Sequence, residues 1–123
     1  MPINLAAIPP DAELFNKEAE TVAIRLDLAA RHLNKPTQIR RFYDELVGWQ
    51  ERIDGDDEKF RQYEAFIRML NAKVAYAKGR QLVDEQFVSW FRDCLKTTTN
   101  AKALDHFRLH FEAVLGFLKA LRA

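Results

Sequence analysis

Apolar residues recur along this chain every three or four positions, and no run alternates apolar with polar as a half-buried strand would. The clearest series is Leu104, Phe107, Phe111, Val114, Leu118 and Leu121, which falls on one side of a helix. Phe60, Tyr63, Ile67, Leu70, Val74 and Ala77 keep the same rhythm, as do Phe15, Ala19, Val22, Leu26, Ala29 and Leu33. Shorter stripes are Ile39, Phe42, Tyr43, Leu46 and Ile53, and then Phe87, Phe91 and Leu95. A helix with one apolar face must bury it against other helices. The pattern therefore predicts an all-α fold, a compact bundle of about five amphipathic helices.

The punctuation places the boundaries. Pro10 or Asp11 opens the first helix, and Asn34-Lys35-Pro36 ends it, because proline disfavours helix in the residue before it. Thr37 caps a second helix that runs to Ile53, and Asp56 or Asp57 caps a third, over about 58–78. Gly79 occupies a place where helices often stop in the left-handed conformation. A fourth helix follows Asp84, and the polar Thr97–Asn100 connection caps the fifth. At 123 residues the chain has room for one core, so residues 1–123 are expected to form a single helical domain, with 1–9 as an extended N-terminal tail. The start, MPINLAAIPPD, lacks a signal peptide's basic region, and no window is long and apolar enough for a membrane span. A lone cysteine, Cys94, staples nothing and points to a reducing, cytoplasmic setting.

The 19 basic and 18 acidic residues leave a net charge of +1, which argues against gripping long duplex DNA by bulk charge. The charges are nevertheless sorted. Residues 68–80 contribute Arg68, Lys73, Lys78 and Arg80 without an acid between them, and Arg40 and Arg41 stand in the first turn of the second helix. Cations are disfavoured there, since a helix N-terminus already carries partial positive charge. Pairing of Arg40 with Asp44 and of Arg41 with Glu45 offsets this by only about 0.3–0.5 kcal/mol per pair. On the third helix, Gln62, Phe66, Met69, Lys73, Tyr76 and Arg80 form a line beside the buried stripe. Two readings compete: a solvated face, or a flank on which Lys73 and Arg80 follow a nucleic-acid backbone while Tyr76 stacks or hydrogen-bonds. Lys78 and Arg80 suit a helix C-terminus in any case; Lys73 is too far from it.

Candidates for chemistry are few. His106 and His110, at i and i+4, have zinc-ligand spacing, yet the only companions nearby in sequence are Cys94 and Asp105, and no HExxH or CxxC motif is present. Histidines at the edge of a core are the competing reading, with a metal-dependent enzyme as the outside alternative. Cys94 falls at a buried helix phase. Ser89, the only serine, has no triad around it, and the glycines at 48, 55, 79 and 116 are too scattered for a phosphate loop. The sequence therefore points to no enzyme, cofactor or metal.

Two segments carry a family resemblance. QIRRFYDEL (38–46) followed by AKVAYAKGR (72–80) resembles the small subunit of the type III-A CRISPR effector, the Csm complex, through Gln38, Ile39, Arg40, Arg41, Phe42 and Tyr43, then Lys73, Ala75, Tyr76, Gly79 and Arg80. Asn71 stands where that pattern has a second basic residue. The resemblance implies a five-helix, non-catalytic subunit of an antiviral ribonucleoprotein. Such a subunit would stack beside the backbone and large subunits, with self-association possible, and hold the sugar-phosphate backbone of guide and target RNA. It assigns RNA contact to Arg40, Arg41, Lys73 and Arg80, to which the flank reading adds Tyr76. The alternative is a purely protein–protein scaffold in which the sorted charges dock neighbouring subunits.

Overall fold

The computed structural model of the chain describes residues 3–123; residues 1 and 2 of the expected tail lie outside them. Six helices follow in order: α1 (Lys17–Asp27), α2 (Pro36–Ile53), α3 (Asp57–Arg68), α4 (Leu70–Gly79), α5 (Glu85–Thr97) and α6 (Ala101–Leu121). No strand occurs among the described residues. The five expected segments are thus present, the third divided at Met69. There the ladder tightens: the Met69 carbonyl accepts from Ala72 N–H at 2.9 Å, one residue short of α-helical spacing, as well as from Lys73 N–H at 3.4 Å.

Core formation follows the periodicity. In α6, Leu104, Phe107, Phe111, Val114 and Leu118 are fully buried. Phe107 and Phe111 interleave with Phe87, Trp90 and Phe91 of α5, the Trp90 and Phe111 rings meeting edge-on at 5.0 Å. From α2, Phe42 reaches Phe87, and Tyr43 meets Phe111 edge-on at 5.5 Å. Such tilted contacts set the positive ring edges against negative faces. Cys94 is buried in the same core, and burial pushes its thiol well above the ordinary range.

α1 is shorter than expected at both ends, because side chains elsewhere claim its backbone. Before Lys17, the Leu14 carbonyl accepts from His110 Nδ1 at 2.7 Å, and Leu5 and Leu14 are buried. After Asp27, the Arg122 guanidinium, whose side chain is only 6% exposed, donates to the carbonyls of Ala29 (3.2 Å) and Leu33 (2.7 Å) and to Asp27 Oδ1 (3.0 Å). Asn34, buried with φ +55°, exchanges two hydrogen bonds with Asp84, so the α1–α2 and α4–α5 connections are tied together. α2 begins at Pro36, with Lys35 rather than Thr37 as its N-cap residue. Asp56 caps α3, donors being Glu58 N–H and Lys59 N–H, while Asp57 accepts from Ala101 N–H at the start of α6. Gly79 is helical. The left-handed position is Gln81 (φ +61°), after which Leu82 N–H returns to the Ala77 carbonyl as in a Schellman ending.

Both histidines of α6 are interior groups rather than core-edge ones. His106 Nδ1–H donates to the Leu5 carbonyl at 2.8 Å. His110 Nδ1–H donates to Leu14, and its Nε2 accepts from Trp90 Nε1–H at 3.1 Å. No group of three or more metal-ligating side chains occurs among the described residues. The His110 arrangement requires one neutral tautomer, and burial lowers the imidazole pKa. The unfolded chain therefore takes up a proton near pH 6.5 that the folded chain refuses. Stability contributed by this histidine is complete above that pH and is lost as pH falls towards the depressed folded value, by at most about 1.4 kcal/mol per pH unit. Thermal melts between pH 7.5 and 5.5 should show this slope, and His110→Gln should flatten it. An unchanged slope in that variant would refute the assignment.

Candidate nucleic-acid interface

α2 and the α3–α4 pair lie antiparallel, and the contacts between them form a ladder. Arg52 of α2 places its guanidinium 5.2 Å from the Tyr63 ring centre, and Trp49 stacks with Phe66 at 6.1 Å. One turn back along α2, Glu45 meets Lys73 Nζ at 2.7 Å. Beyond them a shallow groove is lined by Gln38, Arg41, Phe42, Met69, Lys73 and Tyr76. The fold underneath is ordinary helix packing: Ile39, Phe42 and Leu46 from α2 and Leu70, Val74 and Ala77 from α4 are buried, which turns the positions one step round each helix towards solvent.

The five expected site residues divide accordingly. Arg41, Lys73 and Tyr76 line the groove together. Arg80 joins them through Tyr76: its guanidinium lies 5.8 Å from that ring centre and its Nη1 donates to the phenol oxygen at 3.4 Å. Arg40 does not line the groove and pairs instead with Asp44, one turn on, at 3.7 Å. The expected Arg41–Glu45 pair is not formed; Glu45 is held by Lys73, and Arg41 has no carboxylate partner among the described residues. The other basic side chains of the 68–80 stretch serve the fold. Arg68 bonds Glu64 and donates to the carbonyls of Leu95 and Thr98 at the end of α5, and Lys78 pairs with Glu85.

A phosphate entering the groove would meet one unpaired guanidinium, an ammonium held by a single exposed carboxylate, and a phenol two-thirds exposed. Arginine suits bidentate phosphate contact, and lysine acts there as a mobile point charge. A separate cleft of about 290 Å³ between α1 and α5 carries Lys17 and Arg25 but also Glu18 and Asp93, so its field has no single sign.

Comparison with protein-family models bears on what such a face belongs to. The model described as Csm2 Type III-A matches residues 9–123, nearly the whole chain. The chain belongs to that family. It is therefore a subunit of the multi-subunit Csm effector of type III-A CRISPR systems. No curated protein and no solved structure matches it. None of its helices among the described residues is long and apolar enough to cross a membrane. In this Csm2 family member the two motif segments divide cleanly: Ile39, Phe42, Tyr43 and Ala77 are core, while Arg40, Arg41, Lys73, Tyr76 and Arg80 are exposed. Glu45 is the groove residue that sequence reasoning missed as a partner for Lys73. Spacing within one helix gave no signal for it, since the pair joins two helices.

The Lys73–Glu45 bridge explains the position of Lys73 only in part. Both side chains are about half exposed, and such pairs contribute roughly 0–1 kcal/mol. A double-mutant cycle with Lys73→Ala and Glu45→Ala should therefore give a coupling energy below about 1 kcal/mol by urea unfolding. A coupling of several kcal/mol would make Lys73 a structural residue.

Proposed function

We propose that this protein is a non-catalytic small subunit that holds the sugar-phosphate backbone of guide and target RNA within the Csm ribonucleoprotein, packing against neighbouring subunits in antiviral defence. The observation that carries the reading is the gathering of Arg41, Lys73 and Tyr76 in one groove, with Arg80 laid over Tyr76. Arg40 stands beside the groove as an outer phosphate contact. The near-neutral net charge fits, because several weak sites held in one assembly bind with far higher avidity than any one alone. Cations that meet phosphates position RNA without reading its sequence. The protein partners of this reading are the backbone and large subunits of the complex, with self-association as a further possibility, and its setting is the cytoplasm.

A protein–protein scaffold without RNA contact is the second reading. It is favoured by the exposed Ile24 of α1 and Leu28 just after it, the latter 81% exposed, since apolar groups in that position suit a protein neighbour. Substitution separates the two. Lys73→Ala combined with Arg80→Ala should weaken capture of target RNA by the assembled effector for unrelated guides alike. The same pair should lower the slope of log affinity against log salt by about one for each phosphate no longer neutralised. Normal RNA capture by the double variant, with assembly intact, would leave only the scaffold reading.

A further inference from the structure

We propose that Phe66, backed by Trp49, is a stacking platform for an unpaired RNA base at the α3 end of the α2–α4 face. This rests on the RNA reading above and adds to it a contact with a base ring. Phe66 is 54% exposed although it lies beside the core. Its ring is nearly parallel to the Trp49 indole, 11° between planes at 6.1 Å. Trp49 is itself held by Tyr63 at 5.4 Å and by the Arg52 guanidinium at 5.7 Å. The fold therefore fixes the inner ring and leaves the outer one largely open. A rigid aromatic presented in this way offers a π-face that any base can match.

The surroundings favour RNA over a protein side chain. Cations stand on both sides of the platform: Arg52 at one end, and Lys73 with Arg41 at the other. The one acid lining the neighbouring groove, Glu45, is engaged by Lys73. From Phe66 to Lys73 is two helical turns, roughly 10 Å along the axis, so a strand whose phosphates meet the groove cations passes Phe66. In a duplex the base faces are already covered by their neighbours. Contact with Phe66 therefore selects a nucleotide that is unpaired or turned out of the helix.

The test uses the full chain, a 12-nucleotide oligouridylate and a 12-base-pair RNA duplex at low salt. Phe66→Leu should weaken binding of the single strand about five- to tenfold, the loss expected when one stacked base is deprived of its partner ring, and leave duplex binding unchanged. Phe66→Tyr should restore single-strand binding. An unfolded variant would lose both ligands together, which melting curves would also show. Equal loss for both oligonucleotides in a variant that melts as the wild type does, or no loss for either, overturns the platform while leaving the backbone reading in place. So does a variant that binds RNA normally but no longer assembles with neighbouring subunits. Wild-type protein that binds neither oligonucleotide overturns the backbone reading and the platform with it.

Discussion

Burial of α6 is the constraint on which the other elements depend. Ten of its residues are buried, two of them histidines, and a buried imidazole without partners is costly. The chain meets that cost with backbone from elsewhere: the Leu5 carbonyl for His106, and the Leu14 carbonyl with the Trp90 indole for His110. The N-terminal segment is thereby drawn onto the bundle without becoming helix. Just beyond α6, Arg122 gathers the carbonyls that follow α1. On the remaining side, Tyr43 bonds Glu112, and Gln50 bridges Arg108 and Asp105, tying α2 to α6. Each of these bonds joins residues far apart in sequence, so the bundle closes around α6 rather than growing by local steps.

That arrangement also decides where a functional face can lie. α1, α2 and α5 commit side chains to α6, whereas α3 and α4 lean mainly on α2 and α5. The flank of α3–α4 beside the buried stripe consequently carries few structural duties beyond the Phe66–Trp49 stack and the Lys73–Glu45 bridge, and Phe66, Met69 and Tyr76 stand exposed along it. An aromatic in solvent adds little to folding. Two aromatics and a methionine along one line, with Lys73 between them and Arg80 beyond, are what the RNA reading would put to use.

How much of this was legible in the sequence depended on the range of the interaction. The buried stripes of α2, α3–α4, α5 and α6 could be read because periodicity within a helix reports which side is covered. The family could be read from the resemblance of two short segments, 38–46 and 72–80, to its pattern. The ends of α1 could not, because the deciding partners are His110 and Arg122, more than ninety residues away. The left-handed stop after α4 fell on Gln81, not Gly79. The closing bond there is from Leu82 N–H to Ala77, and completing it sets the position whatever residue stands in it. The groove followed the same rule. Lys73, Tyr76 and Arg80 were visible on one helix line, but Glu45 and the separation of Arg40 from Arg41 emerged only when α2 was laid beside α4.

The Lys73–Glu45 pair then changes what the basic stretch means. A lysine without a counter-charge would be a standing attractor for any polyanion. Held by a half-exposed carboxylate, it would be released at little cost to an arriving phosphate, which Glu45 would then oppose at close range. On the RNA reading, such a site is weak by construction and exchanges readily. It contributes through repetition along an assembled complex, and a lone copy holds a strand only weakly, most measurably at low salt. Arg41, which lines the same groove without a carboxylate partner among the described residues, would supply the attraction that remains. Of the six cations singled out in α2 and at the end of α3–α4, Arg40, Arg68, Lys73 and Lys78 pair with carboxylates, so on the RNA reading Arg41 and Arg80 are the ones left free to act.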